Sequence, residues 1–514
     1  MADTLTGTSS DGKTAPTRAV FCYTSALAER LAYLELEVDG KPAGEQGSSS
    51  DWTRLSDAEV NSELGGAPDR VGCFAFPLGD AARAALSGGK TAKLVAHAAF
   101  ARALEPRPAS IAQGEPQRVL FRDAALRAVS PYKIERQTIE ALTPAGSKPL
   151  SFFPGSPIGV LKSSSSGGII TFSPEGATGA WGGVVVEKEK KKGGDDAGEE
   201  ADDDAAASNG LSVHFLMDEP LVRGRRVVRE VQVSHWGNVY FEETYLVRND
   251  GPSLQGEFSR RRYSDRSQHR GHMFENLRAR LPSGSRWIYF RDAIGNVSTS
   301  EVHRLPAGGG GKNSGKGGSG KEDGAGGTGG GSVVVDLGQR YPLLGGWEVD
   351  FVLGYSLPLG SALSRVSSST GSSSTLGAGR MRLRVALPAT IEGMYVDELE
   401  VRVVLPEGAK RVAHAAPSAP NALAALERKS TYLDAPWGPG RPVLVLRLPN
   451  AVPDHGSARL TVEYSLTALD MLRKPALLAV AFAGVFAALA LANRADFSIA
   501  PSAAGAAAAK AKAA

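Results

Sequence analysis

The sequence predicts a mainly β chain, with two antiparallel β-sandwich-like domains followed by one C-terminal transmembrane α-helix. Three observations carry this reading: apolar residues that alternate with polar ones, Gly, Pro and Asn between those stretches, and one uncharged apolar run near the end. A period of two puts alternate side chains on one face, as a half-buried strand requires. The period is clearest at Met381, Leu383, Val385 and Leu387, and recurs at Leu34, Leu36 and Val38 and at Val231 and Val233. Further strands are predicted over residues 239–247, 348–353, 399–405, 443–448 and 460–466, with turns at Asn249-Asp250-Gly251 and Leu405-Pro406-Glu407-Gly408. Helix signals are few, and residues 53–64 and 80–86 are predicted as short helices.

Residues 475–492, PALLAVAFAGVFAALALA, carry no charge. At about 1.5 Å per residue the run is close to the ~30 Å of a hydrocarbon core. A buried helix of a soluble protein is usually shorter and keeps a polar stripe, so a membrane span is predicted. Arg473 and Lys474 precede the run and Arg494, Lys510 and Lys512 follow it, a charge bias too small to set orientation.

Three low-complexity stretches divide the chain. Residues 187–204 are a lysine run followed by an acidic run, 308–332 are dominated by Gly, and 361–379 by Ser and Gly. All read as surface insertions, which loop entropy tolerates. The expected organisation is a polar leader (1–20), a first β-rich domain (21–225) with an insertion at 184–209, and a second β-rich domain (226–470) with insertions at 307–332 and 361–379. The span (475–492) and a short tail (493–514) follow.

Composition narrows the function. The 514 residues are 42% hydrophobic and 22% charged, with 61 Gly and 30 Pro, which excludes a collagen-like or wholly disordered chain. Basic and acidic residues number 58 and 55, a net charge of +3, so no global field favours nucleic acid and none is expected as a partner. Two cysteines, Cys22 and Cys73, cannot build a disulfide scaffold or a four-thiolate zinc site. Whether they pair is open.

The sequence contains no HExxH and no GxSxG. His269 and His272 have no ligand partner at metal spacing and are expected in a solvated loop. Arg260, Arg261 and Arg262 read as a solvated or salt-bridged surface. Trp236, Trp287 and Trp347 are each expected to anchor a sandwich core, and Gly237, Gly295, Gly345 and Gly346 to occupy turns or bulges. No catalytic, metal or cofactor residue is predicted. Asn296-Val297-Ser298 is the one Asn-x-Ser/Thr sequon, so Asn296 is a candidate N-glycosylation site where that segment reaches the secretory lumen.

Several uncommon motifs occur in a fixed order: ALAERLAYLELEVDGK (26–41), SPYKIERQT (130–138), VSHWGNVYFEETYLVRNDG (233–251), GEFSRRRY (256–263) and IYFRDAIGNVSTS (288–300). They continue with RYPLLGGWEVDFVLGYSLP (340–358), LPEGAK (405–410), TYLD followed by GRPV (431–443), and ADFSI (495–499). Together they closely resemble the ribophorin I family over about residues 21–499. The resemblance implies a single-pass type I protein of the endoplasmic reticulum membrane, its bulk in the lumen and its tail in the cytosol. The family forms a non-catalytic subunit of oligosaccharyltransferase, the complex that transfers a preassembled oligosaccharide from dolichyl diphosphate to Asn in sequons of nascent proteins. The implied partners are the multispanning catalytic subunit, other subunits of the complex, nascent polypeptide chains and membrane lipid, with no cofactor of its own.

Two departures shape the expectation. The polar start MADTLTGTSS has no apolar segment of a signal peptide, so a signal peptide is expected to be missing from this chain. The tail is short where longer relatives carry a helical domain facing the ribosome, so no ribosome contact is expected. A single-pass β-sandwich receptor or adhesion protein explains strands and a span but not the ordered motifs. A self-contained enzyme has no constellation to support it.

Overall fold

A computed structural model describes residues 2–7, 17–38, 41–42, 52–63, 71–80, 92–123, 127–144, 147–153, 159–164, 167–172, 210–265, 271–305, 332–366, 379–387, 389–415, 423–430, 440–453 and 459–494, with a few single positions between. The chain is mainly β and ends in one long apolar helix, Ala468–Arg494. Residues 187–204 and most of the two Gly- and Ser-rich stretches lie outside the described residues. Ser361 and Ala362, however, close the short helix Leu359–Ala362, and Leu363–Arg365 pairs with Gly379–Ala386, so regular structure reaches into the predicted third insertion.

The larger body is a sandwich. Its main sheet has seven strands, in the order Arg286–Asp292, Glu348–Pro358, Asn238–Asn249, Val222–Val233, Tyr395–Val404, Arg441–Ala451 and Leu423–Lys429. Neighbours are antiparallel except at the centre, where Val222–Val233 runs parallel to Tyr395–Val404. A parallel pair needs a long crossover, here the chain from 234 to 394. That chain also supplies much of the opposing layer, which comprises a three-stranded sheet (Phe274–Pro282, Ser332–Leu343, Glu301–Leu305) and a four-stranded sheet containing Gly379–Ala386 and Arg459–Leu466. Alternation dictates the packing. In Asn238–Asn249, Val239, Phe241, Glu243, Tyr245, Val247 and Asn249 all turn inward, and the apolar ones join Leu281, Leu337, Leu383 and Leu460 in one core. Full burial of each such side chain stabilises by about 1.5–3 kcal/mol.

Two inward positions break the apolar pattern. Arg229 is 2% exposed and Glu243 is 0% exposed, with Arg229 Nε donating to Glu243 Oε1 at 2.9 Å. Both partners bond further groups: Arg229 Nη1 donates to Ala386 O at 2.6 Å, and Glu243 also accepts from Tyr245, from Thr390 at 2.7 Å and from Tyr355 at 3.3 Å. Burial, and then the Glu243 charge, push both tyrosine hydroxyls well above their usual range. The network ties the seven-stranded sheet to the 386–390 segment beneath it.

The smaller N-terminal region is built around Arg18–Thr24 and Val71–Pro77, whose five central residues are all buried. This sheet is covered on both faces. Phe21, Tyr23, Phe74 and Phe76 meet Leu34 and Leu36 on one side, while Val20, Cys22, Cys73 and Ala75 meet Leu55 and Val60 on the other. Cys22 and Cys73 are register partners and form a disulfide. The helix predicted over 53–64 is shorter, Asp57–Glu63, because Thr53–Arg54 adds an edge strand to this sheet. Of the helix predicted over 80–86, Asp80 and Arg83 are helical and the other positions lie outside the described residues. The two regions meet through a parallel pair, Ser110–Ala112 with Ser253–Gln255, and through reciprocal bonds between Gln113 and the Ser259 backbone.

Candidate functional site at the root of the apolar helix

The last sandwich strand, Arg459–Leu466, is separated from the helix by Thr467 alone. Thr467 caps it. Asp470 Oδ2 accepts from Thr467 N at 3.2 Å and from its hydroxyl at 2.5 Å, while Asp470 N donates back to Thr467 Oγ1 at 3.2 Å. Such a reciprocal box satisfies the free N–H groups of a helix start. The Leu405–Lys410 turn braces the same point. Gly408 adopts φ +87°, a Cβ there would stand 2.9 Å from Asp470 Cβ, and Lys410 Nζ lies 3.7 Å from Asp470 Oδ1. Met471 packs on the sandwich core. Beyond this first turn the helix projects free of the body: the 18-residue apolar window within Leu469–Arg494 has mean hydropathy 2.3 and none of it is buried.

Between the helix root and the 234–237 hairpin turn lies an open groove of about 380 Å³, lined among others by His235, Trp236, Arg441, Met471 and Lys474. Three contacts set its walls. His235 Nε2 bonds the Tyr464 hydroxyl at 2.8 Å with the rings edge to face, Arg441 Nε donates to Leu405 O at 3.1 Å, and Leu359 N donates to Gly237 O at 3.1 Å. Burial holds the His235 imidazole below its usual range, favouring the neutral ring.

The tryptophans correct the sequence expectation, since none joins the sandwich core. Trp236 is 68% exposed on the hairpin tip, where no second sheet faces it. Trp287 is 76% exposed, turned outward by a bulge between Arg286 and Tyr289 in which it takes φ +49°. Trp347 is half-buried in a peripheral cluster with Phe258 at 5.9 Å and Tyr341 at 6.3 Å. His272 is a second correction. It is 2% exposed, not solvated, and its carbonyl accepts from the buried Asn249 amide at 2.8 Å, while His269 lies outside the described residues. Arg260, Arg261 and Arg262 are exposed on the short helix Arg260–Ser264. Gly345 sits where a Cβ would come within 1.9 Å of Pro252 O, so close backbone approach requires glycine there.

Asn296 is exposed on an ordered turn. Asp292 accepts from the N–H groups of Ile294 and Gly295, pairs with Arg340, and is held down to about 2, first by the Arg340 hydrogen bond. Arg340 Nη2 also reaches Asn296 O at 3.4 Å, and Val297 is buried as the anchor of the turn. Asp292 pairs with Phe351, whereas Trp236 lies beyond the Asn238–Pro358 pair. At about 3.3 Å per residue the sequon is therefore some ~20 Å or more from the helix root. Among the described residues no group of three His, Cys, Asp or Glu side chains is placed to hold a metal ion.

Comparison with known proteins follows this geometry. The chain is 30% identical over 478 residues to dolichyl-diphosphooligosaccharide--protein glycosyltransferase subunit 1A of Arabidopsis thaliana, covering 93% of this chain and 64% of that protein. It is 36% identical over 290 residues to subunit 1 of Caenorhabditis elegans (56% and 43% covered) and 29% identical over 404 residues to subunit 1B of Arabidopsis thaliana (78% and 72%). The chain thus spans less than two thirds of the length of the first of these relatives. The sequence pattern described as Ribophorin I matches residues 4–493, taking in the sandwich, the capped root and nearly all of the helix. The chain belongs to the ribophorin I family.

Proposed function

We propose that this chain is a non-catalytic accessory subunit of oligosaccharyltransferase, the endoplasmic reticulum complex that moves a preassembled oligosaccharide from dolichyl diphosphate to Asn in Asn-x-Ser/Thr sequons of nascent proteins. The carrying observation is family membership along 4–493, with a β body fixed to the root of one apolar helix. In this reading Leu469–Arg494 spans the membrane and the two β-rich domains, divided near residue 225, stand in the lumen. The Cys22–Cys73 disulfide supports an oxidising compartment, and exposure of Asn296 supports its modification there. The subunit braces the complex and holds acceptor chains beside the catalytic centre, where raised local concentration favours transfer.

Co-purification and depletion test this together. Solubilised in mild detergent, the chain is expected to retain a multispanning transferase subunit, and its depletion to lower sequon occupancy on other glycoproteins. Recovery of the chain alone, with occupancy unchanged, overturns the proposal. Protease protection of the body in sealed microsomes, with glycosidase sensitivity of Asn296, tests the lumenal placement.

A further inference from the structure

We infer that Trp236 is an interfacial anchor: its indole enters the headgroup layer of the bilayer beside the helix root and sets the height and tilt of the β body on the membrane. This rests on reading Leu469–Arg494 as a membrane span, and adds a lipid-contacting residue to the sandwich itself. Three observations converge. First, Trp236 shares a groove with Asp470, Met471 and Lys474, and Lys474 is the last charge before the apolar run that starts at Pro475. The indole therefore stands at the level where the helix passes from water to hydrocarbon, the depth at which an amphipathic ring with one N–H donor is favoured.

Second, the indole is 68% exposed although its backbone is held on both sides. Ser234 N bonds Asn238 O at 3.1 Å, Trp236 N bonds Ser234 Oγ at 3.3 Å, and Leu359 N bonds Gly237 O at 3.1 Å. An amphipathic ring held out by a fixed turn beside the start of the apolar run is available to a lipid headgroup layer. Third, the helix leaves the body after its first turn, with none of its apolar window buried, so the hairpin tip and the start of the apolar run stand side by side at the edge of the body. The occupant this geometry fits is the lipid surface, with the Lys474 ammonium at the height of the phosphates.

The test uses the full chain in nanodiscs whose phosphatidylcholine carries bromine either near the headgroup or deep in the acyl chain. Comparing native protein with Trp236→Phe isolates this indole from the others. Shallow bromine is expected to quench native emission measurably more than that of Trp236→Phe, with little difference for deep bromine. Equal shallow quenching in the two proteins, as for an indole covered by protein or left in water, overturns the anchor while leaving the span intact. Alkaline extraction of the same samples separates the two failures, since release of the chain from the bilayer refutes the span itself. Unchanged melting of Trp236→Phe verifies that the fold is retained.

Discussion

Removing Glu243 leaves the Arg229 guanidinium charged, 2% exposed and without its carboxylate. Breaking a buried pair from one side costs about 3–5 kcal/mol, and the Tyr355 hydroxyl, which donates to Glu243 at 3.3 Å, adds about 1–3 kcal/mol when left without an acceptor. Tyr245 and Thr390 lose less, because their hydroxyls lie 2.7 Å apart and bond each other. Glu243→Leu is therefore expected to lower stability by roughly 4–8 kcal/mol. At about 2–4 °C per kcal/mol for a domain of some 150–250 residues, the sandwich melts lower by more than ~8 °C. The double variant Glu243→Leu/Arg229→Met removes the stranded charge and recovers at least about 2 kcal/mol of the loss, since apolar replacement of both partners of a buried pair is often close to neutral. Thermal unfolding of the full chain in detergent, followed by near-ultraviolet dichroism, measures both. A single variant within about 1 kcal/mol of native, or a double variant no better than the single, refutes the assignment of the network as a buried tie between the layers.

Three other outcomes are expected. Replacing Cys22 and Cys73 by Ser opens a loop of sequence separation 51, and chain entropy sets the loss near 4 kcal/mol; equal melting temperatures with and without reductant count against the bond. For His235 the folded ring is harder to protonate than the unfolded one, so above about pH 6.5 it contributes nothing to pH dependence. As pH falls below that value the unfolded chain takes up the proton first and stability drops. The native protein should lose more stability than His235→Gln on acidification, and parallel pH profiles for the two proteins exclude the effect. Gly408→Val forces a β-branched residue into positive φ and a Cβ against Asp470, a strain of about 1–3 kcal/mol; faster proteolysis near the helix root than in the native chain reports it, and unchanged cleavage argues that the turn does not brace the helix.

How much of this was legible in the sequence depends on how many faces of each strand are buried. Asn238–Asn249 has one buried face and reads directly from its alternation. Arg18–Thr24, covered on both faces, is a continuous apolar run that periodicity cannot separate from a short helix. Arg229 and Glu243 went unremarked in the sequence, although they occupy inward positions between valines and aromatic residues, in phase with the buried face. Their pairing across adjacent strands needed the register. The tryptophans misled because indoles are usually buried, whereas a hairpin tip and an edge bulge have no opposing layer. His272 misled in the opposite sense: a polar-looking segment lies inside, bonded to the Asn249 amide, a contact between residues 23 apart in sequence. The root of the helix was legible in part. Its apolar run stood out, and the Thr467–Asp470 box is a local pattern beside it, but the Gly408 brace depends on a turn far away in the chain.

The junction at Thr467 leaves no slack between sheet and helix. A flexible tether would let the body sample every direction above the bilayer, but a capped, braced joint turns the pair into a single lever. On the proposed membrane reading, thinning or thickening of the surrounding lipid, which a span answers by leaning, swings the whole sandwich through the same angle. The Asn296 end of the sandwich, some ~20 Å or more from the root along the strands, moves farther than the root itself. On that reading bilayer composition acts as a steering input on where the distal surface points, without any change in the fold.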